Sequence, residues 1–421
     1  MIARRLVAAC VLFFAILGRA AAQPPPVSAT AVAPAPRNQI IVTLVTFGLG
    51  EEVFERFGHN ALWFHDASTP QDVAYHWGLF SFNEPGFLVR FLTGDTKYWM
   101  GAVDAQQLIE SERRRGRPIT LQRLNLTSAQ TLLLREFVRW NAREENKFYR
   151  YDYFGDNCST RLRDALDHAL GGAIRRATDT ARTTLSYRRE SIRLTNGDAP
   201  VQVGIDIALG RPADVPLTTW QSFFIPMRLR DALRGMRVPG PDGVDVPLVA
   251  QEQIVPLPPE TKPILEAAIA PRLAPRYAVL GVLLGALVVV LRVMMLARRS
   301  AAWGLALFGS AWSLLCGVLG VMLLLAWIAT KHVFWASNEN VLLLTPFSLA
   351  LAMLVPAAVL SGRRERAARM IASVVALLGV AAAVLTIVPG GQENRAVVAL
   401  FLPVHLALGW ALALPRPIAK G

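Results

Sequence analysis

YAVLGVLLGALVVVLRVMML, residues 277–296, is apolar at nearly every position for about the 20 residues that a helix needs to cross a bilayer. Comparable runs recur at 303–329, 341–361, 370–389 and 396–414. They predict an all-α bundle of five transmembrane helices over residues 277–421 and exclude an ordinary soluble fold there. The connecting loops orient the bundle. Arg298 and Arg299 follow the first run, Arg363, Arg364, Arg366 and Arg369 the third, and Arg416 and Lys420 the fifth. The other two loops carry one cation each, Lys331 and Arg395. Cationic loops stay in the cytoplasm, so odd-numbered runs end there and the chain ahead of the first run lies outside.

The N-terminal sequence agrees. Arg4 and Arg5 precede an apolar run from Leu6 to Gly18, and Ala20-Ala21-Ala22 before Gln23 supplies an A-x-A cleavage site. Residues 1–22 therefore read as a signal peptide, the run being short for a membrane span. The Pro/Ala-rich residues 23–37 form an extended linker. Residues 38–256 have ordinary globular composition and make the exported domain. A second linker, 257–276, starts at the hinge Leu257-Pro258-Pro259. Within the exported domain, Ile40–Phe47, Ala61–Phe64 and Val73–Phe80 are strand-like. Thr127-Ser128-Ala129-Gln130 is a capping box that opens one helix, and Ser159–Leu170 fits another.

Across all 421 residues, 53% are hydrophobic and 18% charged, and the net charge is +13. Such a charge can signal a nucleic-acid partner. Its distribution excludes one: residues 23–276 hold 30 basic and 28 acidic side chains, whereas 277–421 hold 11 basic and 3 acidic, the basic ones mostly in the cytoplasmic loops. The excess positive charge records membrane topology.

Of three cysteines, Cys10 lies in the signal segment and Cys316 in the second run, which leaves Cys158 alone in the exported domain. Without an intramolecular disulfide partner, it is either buried and inert or kept for its reactivity. Its setting is Tyr151-Asp152-Tyr153-Phe154-Gly155-Asp156-Asn157-Cys158-Ser159-Thr160-Arg161, a loop running into a helix. Unpaired N–H groups at a helix start stabilise a thiolate and can hold a developing oxyanion. A thiol nucleophile needs a base, and an imidazole needs an orienting group. His59 follows Gly58 at the entry to one strand, and His76 lies on the next, so adjacent strands can bring base and orienter together. His65 sits at a strand end and His168 points off the helix away from Cys158; ordinary hydrogen-bonded histidines are the alternative for each. A zinc site of these histidines with Cys158 would lack the short C-x-x-C or H-x-x-x-H pairs of such centres, so neither metal nor cofactor is expected.

Gly58-His59-Asn60-Ala61-Leu62, Tyr75-His76-Trp77-Gly78-Leu79-Phe80-Ser81-Phe82, and Tyr151 through Asp164 together resemble the Lnb-type periplasmic domain. The order His, polar residue, Cys is similar to that of circularly permuted NlpC-type and lecithin:retinol acyltransferase-like papain folds. The resemblance covers residues 38–256, and the polytopic tail fits too: Asn338-Glu339-Asn340-Val341-Leu342-Leu343 is similar to an Asn-x-Asn-Leu-Leu element of the family. It implies an α+β, permuted papain-like exported domain ahead of the five-helix bundle, in a bacterial inner membrane with the domain in the periplasm. It also implies lipoprotein N-acylation, in which an acyl chain passes from a membrane phospholipid to the amine of a diacylglyceryl-cysteine lipoprotein. Cys158 is then the nucleophile, His59 the base and His76 the third member, at a place near which the family carries Asn; either side chain can hydrogen-bond an imidazole. Asn60, Asn157, Arg161, Asn338 and Asn340 are the implied substrate contacts, with a surface salt bridge as the alternative for Arg161 and a solvated loop for Asn338 and Asn340. Trp77, Phe80, Phe82, Phe87 and Phe91 either line an acyl channel or pack a core. The competing functions are a cell-wall cysteine peptidase or amidase of NlpC-like type and a non-enzymatic periplasmic binding or sensing protein.

The charge pattern makes a direct prediction about topology. A reporter that works only outside the cytoplasm should be active when fused after Ala336 and inactive after Arg366; the reverse would invert the bundle.

Overall fold

The computed structural model describes residues 40–69, 71–240 and 243–415. The expected signal peptide and first linker, and the cations Arg416 and Lys420, lie outside those residues. The exported part is a mixed helix–sheet domain on a large antiparallel sheet. Its strands are β1 (Ile40–Phe47), β2 (His59–Asp66), β3 (Val73–Leu79), β4 (Lys97–Asp104), β5 (Ile119–Leu124) and β6 (Phe148–Arg150). A hairpin of β7 (Arg237–Pro239) and β8 (Asp245–Pro247) precedes the seventh strand of the large sheet, β9 (Val249–Val255). The sheet order is β6-β4-β3-β2-β1-β5-β9.

The β-branched run IIVTLVTF becomes β1, which pairs with β2 on one side and β5 on the other. Asp66 closes the β2–β3 turn by accepting hydrogen bonds from the amide and hydroxyl of Ser68. On one face of the sheet lie α3 (Ser128–Asn141) and α4 (Cys158–Ala169); α1 (Phe87–Thr93) and α2 (Ala105–Arg114) precede them in the chain. The expected capping box at Thr127 is present with both of its hydrogen bonds. Leu62, Trp77, Leu134, Val138, Leu162 and Leu166 fill the layer between sheet and helices. Beyond these come α5 (Tyr187–Leu194), α6 (Ala199–Ala208) and α7 (Pro226–Arg234).

Five apolar helices follow: α8 (Ala274–Met294), α9 (Arg299–Ala329), α10 (Phe347–Ser361), α11 (Glu365–Leu385) and α12 (Arg395–Ala413). Gly281 and Gly285, one turn apart on α8, face the backbone of α12, where a Cβ at Gly285 would come within 3.0 Å of the Pro403 carbonyl. Small residues let helices approach closely in a bilayer, where no hydrophobic force drives them together. The third apolar run is not one continuous helix. A 3₁₀ turn, Glu339–Leu342, precedes α10, because Asn338 and Asn340 direct the backbone to other work.

That work is a joint between domain and bundle. The amide of Asn338 donates to the Ile207 and Ala208 carbonyls at 2.8 and 2.9 Å, and that of Asn340 to Asp206 and Ile207, both at 3.0 Å. These are the carbonyls left without partners where α6 ends. From the loop before α12, Gln392 donates to the Leu209 carbonyl and Asn394 to Oδ1 of Asn340. Asn338 and Asn340 are 1% and 0% exposed. The solvated loop that was the alternative at these two positions is therefore corrected to a buried clamp that uses both Nδ2 hydrogens of each side chain. Beside it, Arg188 bridges Asp206 and Asp214 at 2.9 and 2.6 Å, all three buried.

Asn340→Ala would take one donor from the Asp206 and Ile207 carbonyls, which keep Arg188 and Asn338, and would leave the buried Asn394 amide without this partner, at about 1–3 kcal/mol if it stays unsatisfied. The solubilised full chain should melt several degrees lower than the unaltered protein. An unchanged melting temperature would show that the clamp carries no stability.

Candidate active site

Helix α4 begins at Cys158 because Asn157 caps it. Asn157 Oδ1 accepts from the amides of Ser159 and Thr160, both at 2.9 Å, while its own amide hydrogens go to the Tyr153 and Phe224 carbonyls, also at 2.9 Å. Thr160 Oγ1 in turn accepts from the Asn157 backbone N–H at 2.8 Å. The Asn157 side chain thus holds the cysteine loop in place. Asn60 is fully buried on β2, and its amide donates to Ser159 Oγ at 3.2 Å, tying strand to helix start. Arg161 forms a two-pronged ion pair with Asp156 and lies 3.9 Å from the centre of the Tyr149 ring. The salt bridge expected for Arg161 is formed.

Two strands present the imidazoles. His59 Nε2 and His76 Nδ1 are 2.9 Å apart, with the rings edge to face. A β-bulge follows His76, where the β3–β4 register slips by one residue before Leu79. Gly78 lies in this bulge at φ 93°, and a Cβ added there would be 3.1 Å from Cβ of Cys158. The glycine therefore does two things: it allows the backbone turn and leaves room for the cysteine beside the strand that carries His76. Phe47 stacks on His59, and Arg117 lies behind Phe47, held by the Gly48 carbonyl and Glu112.

Burial sets the charge states. It pushes the Cys158 thiol up to about 12, against the opposing pull of the Ser159 and Cys158 amides and of Arg117. It also lowers His76 to about 4 and holds His59 well below the usual imidazole range, with further lowering from His76 and Arg117. The thiolate expected at the helix start is thus not the resting form. Thiol and both imidazoles are neutral near pH 7, because desolvation outweighs the helix terminus.

Several contributors were not legible in the sequence. Tyr149 and Tyr151 stand near enough to Cys158 for a thiolate charge to push their hydroxyls further up, beyond the effect of burial. Tyr149 Oη is buried with no hydrogen-bond partner. Their alternation with Tyr153 ahead of the cysteine loop was the available clue, since side chains two apart share a face of an extended segment. Arg117 had no comparable signal, and Gly78 stood only as one residue of the quoted stretch Tyr75 to Phe82. His65 pairs with Asp72 at 2.7 Å, and His168 packs on Phe137, so neither joins the site. Among the described residues, no group of three or more His, Cys, Asp or Glu side chains gathers as a metal centre requires.

A family model for the Lnb N-terminal periplasmic domain matches residues 36–189, and one for the Lnb transmembrane domain matches residues 271–412. No curated protein and no solved structure matches the chain.

The lowered imidazoles predict how stability depends on pH. Between about pH 6.5 and 4, the unfolded chain binds protons at His59 and His76 that the folded chain refuses, so stability falls as pH falls through this window. His76 alone accounts for about 3 kcal/mol. Melting temperatures of the unaltered protein and His76→Asn, taken from pH 7 to pH 4, should show a shallower slope for the variant. Equal slopes would remove His76 as a source.

Proposed function

The chain belongs to the Lnb-type family, as a multi-pass membrane protein with a periplasmic N-terminal domain, and from that premise we propose that it is a lipoprotein N-acyltransferase of permuted papain-like design. The observation that carries this reading is the His59–His76 pair on adjacent strands, with Cys158 packed against Gly78 of the second. The site stands on a membrane base, which suits a reaction whose acyl donor and acceptor are both lipids. A peptidase acting on the cell wall has no comparable need of five spans.

In the first half-reaction, the Cys158 sulfur attacks the ester carbonyl of a membrane phospholipid. Nδ1 of His59 takes the thiol proton as the carbon–sulfur bond forms, so no free thiolate is needed in a site where burial disfavours one. This requires the other tautomeric proton on Nε2, donated to Nδ1 of His76, the role that an Asn fills equally well. The Cys158 amide and the unpartnered Tyr149 hydroxyl are the donors offered to the oxyanion. Collapse expels the lysophospholipid alkoxide, which takes the proton from His59, and leaves an acyl thioester. In the second half-reaction, the neutral amine of the diacylglyceryl-cysteine attacks that thioester. His59 removes the amine proton and returns it to the departing sulfur, so thiol and base are restored.

The test uses the full chain in phospholipid vesicles with a diacylated lipopeptide. Transfer should be abolished by Cys158→Ala, lowered about 10²–10⁴-fold by His59→Ala, and lowered about 10²–10³-fold by Tyr149→Phe. His76→Asn should retain more activity than His76→Ala. Stalling without acceptor should leave an acyl group on Cys158 that hydroxylamine releases. Absence of transfer by the unaltered protein would overturn the reading, and transfer by Cys158→Ala would overturn the mechanism.

A further inference from the structure

The segment from Phe82 to Thr93 exposes far more apolar surface than its length can sustain in water. Helix α1 has seven residues, none of them buried, and Leu88, Val89 and Leu92 are 66%, 64% and 48% exposed. Phe82, in the turn before it, is 67% exposed, and Phe54, whose ring meets Phe80 edge to face, is 53% exposed. An isolated helix this short is marginal in water, and three large aliphatic side chains facing outward add to the cost. Its one charged residue, Arg90, folds back onto Glu84 at 2.6 Å and the Pro85 carbonyl at 2.8 Å, leaving the outward face without charge.

The surroundings of α1 say what covers it. Its C-terminal end is bonded to the outer end of the second membrane helix, α9. The Lys331 amide donates to the Thr93 carbonyl at 2.8 Å, His332 Nε2 lies 3.0 Å from the Phe91 carbonyl, and Lys331 Nζ pairs with Asp95 at 2.8 Å. Gly94, at φ 72°, makes this docking possible, since a Cβ there would press to 3.0 Å from the His332 amide nitrogen. On α9, Trp327 and Ile328 are themselves exposed, as lipid-facing residues of a span must be. The apolar face of α1 therefore continues an apolar surface at the depth where hydrocarbon meets headgroups, the level at which aromatic side chains collect.

We propose that α1 and the Phe82 turn are immersed in the periplasmic leaflet and form a ledge from which lipid acyl chains reach the catalytic cysteine. A ladder of rings leads inward from the ledge: Phe82 to Phe80 at 4.9 Å, Phe80 to Tyr98 at 5.0 Å, and Tyr98 to Tyr151 at 4.3 Å between centroids. Tyr151 and Cys158 both border Gly78. Phe82 thus belongs to the membrane-facing surface, Phe80 and Phe87 lie half-buried beneath it, and Trp77 is core. The immersion stands on geometry alone, and the handover of a chain to Cys158 rests on the acyl-transfer reading.

Two measurements test the immersion independently of that reading, because neither needs activity. First, the full chain carrying Cys158→Ala is placed in nanodiscs with a phospholipid that bears a photoactivatable diazirine near its acyl terminus. Adducts should map to residues 82–92 as well as to α8–α12; adducts confined to α8–α12 would overturn the proposal. Second, nitroxide labels are attached at Leu88→Cys, Leu92→Cys and, as reference, Leu132→Cys, in a Cys10→Ala, Cys158→Ala, Cys316→Ala background. Oxygen should relax the labels at 88 and 92 at least threefold more effectively, relative to a water-soluble nickel chelate, than the label at 132. Equal ratios at all three would place α1 in water and overturn the proposal.

Discussion

The carbonyls that end α6 need donors, and the amides of Asn338 and Asn340 supply them. Much of the molecule depends on this contact. A helix end buried against a membrane bundle cannot leave its last carbonyls to water, and each one left bare costs free energy on the scale of a lost hydrogen bond. Here the donors come from the loop between the second and third spans, and Gln392 and Asn394 add others from the loop before the fifth. Three distant parts of the chain are locked in one network, which fixes the exported domain on its base. Around it, Phe334 meets Phe154 and Tyr187, each with centroids 4.9 Å apart, and Tyr153 stacks on His332. Tyr153 and Phe154 belong to the loop that ends at Cys158, so the joint that holds the domain also supports that cysteine.

The same loop resolves a tension in the site. A cysteine at a helix start gains from the N–H groups around it, yet burial raises its thiol to about 12. Burial also strips the proton from His59 and His76, so the resting pair is neutral on both sides. This suits a domain beside a membrane, where an exposed thiolate would meet oxidants and electrophiles continuously. Geometry rather than charge then prepares the site: the Asn157 cap, the Gly78 bulge and the His59–His76 bond hold positions before any proton moves.

How far the sequence could be read differs from feature to feature. The five spans and their orientation followed from run length and loop charge, which are local properties, and all five helices appear, with the third broken at its outer end. The start of α4 was legible because an N-cap needs only the residues beside it. The strands around His59 and His76 were legible too, but their 2.9 Å contact depended on a register that no local pattern specifies. Strands β4, β5, β6 and β9 carried no strong strand signal, and their place in the sheet comes from pairing. The clamp made by Asn338 and Asn340 was not legible for a related reason. A polar pair in a loop looks the same whether it faces solvent, a substrate or the end of a helix that begins 140 residues earlier in the chain; here that helix is Ala199–Ala208.

The sequence by itself determined that this chain crosses a membrane five times, exports its N-terminal domain, and carries in that domain one cysteine at the start of a helix. Each of these rests on length, charge or a cap, interactions that close within a few residues. Only the tertiary structure decided that the cysteine is neutral, that Gly78 seats it against the strand that carries His76, and that two loop asparagines join the domain to its base. Those depend on burial and on contacts between residues far apart in the chain, and desolvation and hydrogen-bond satisfaction act only once the chain is packed.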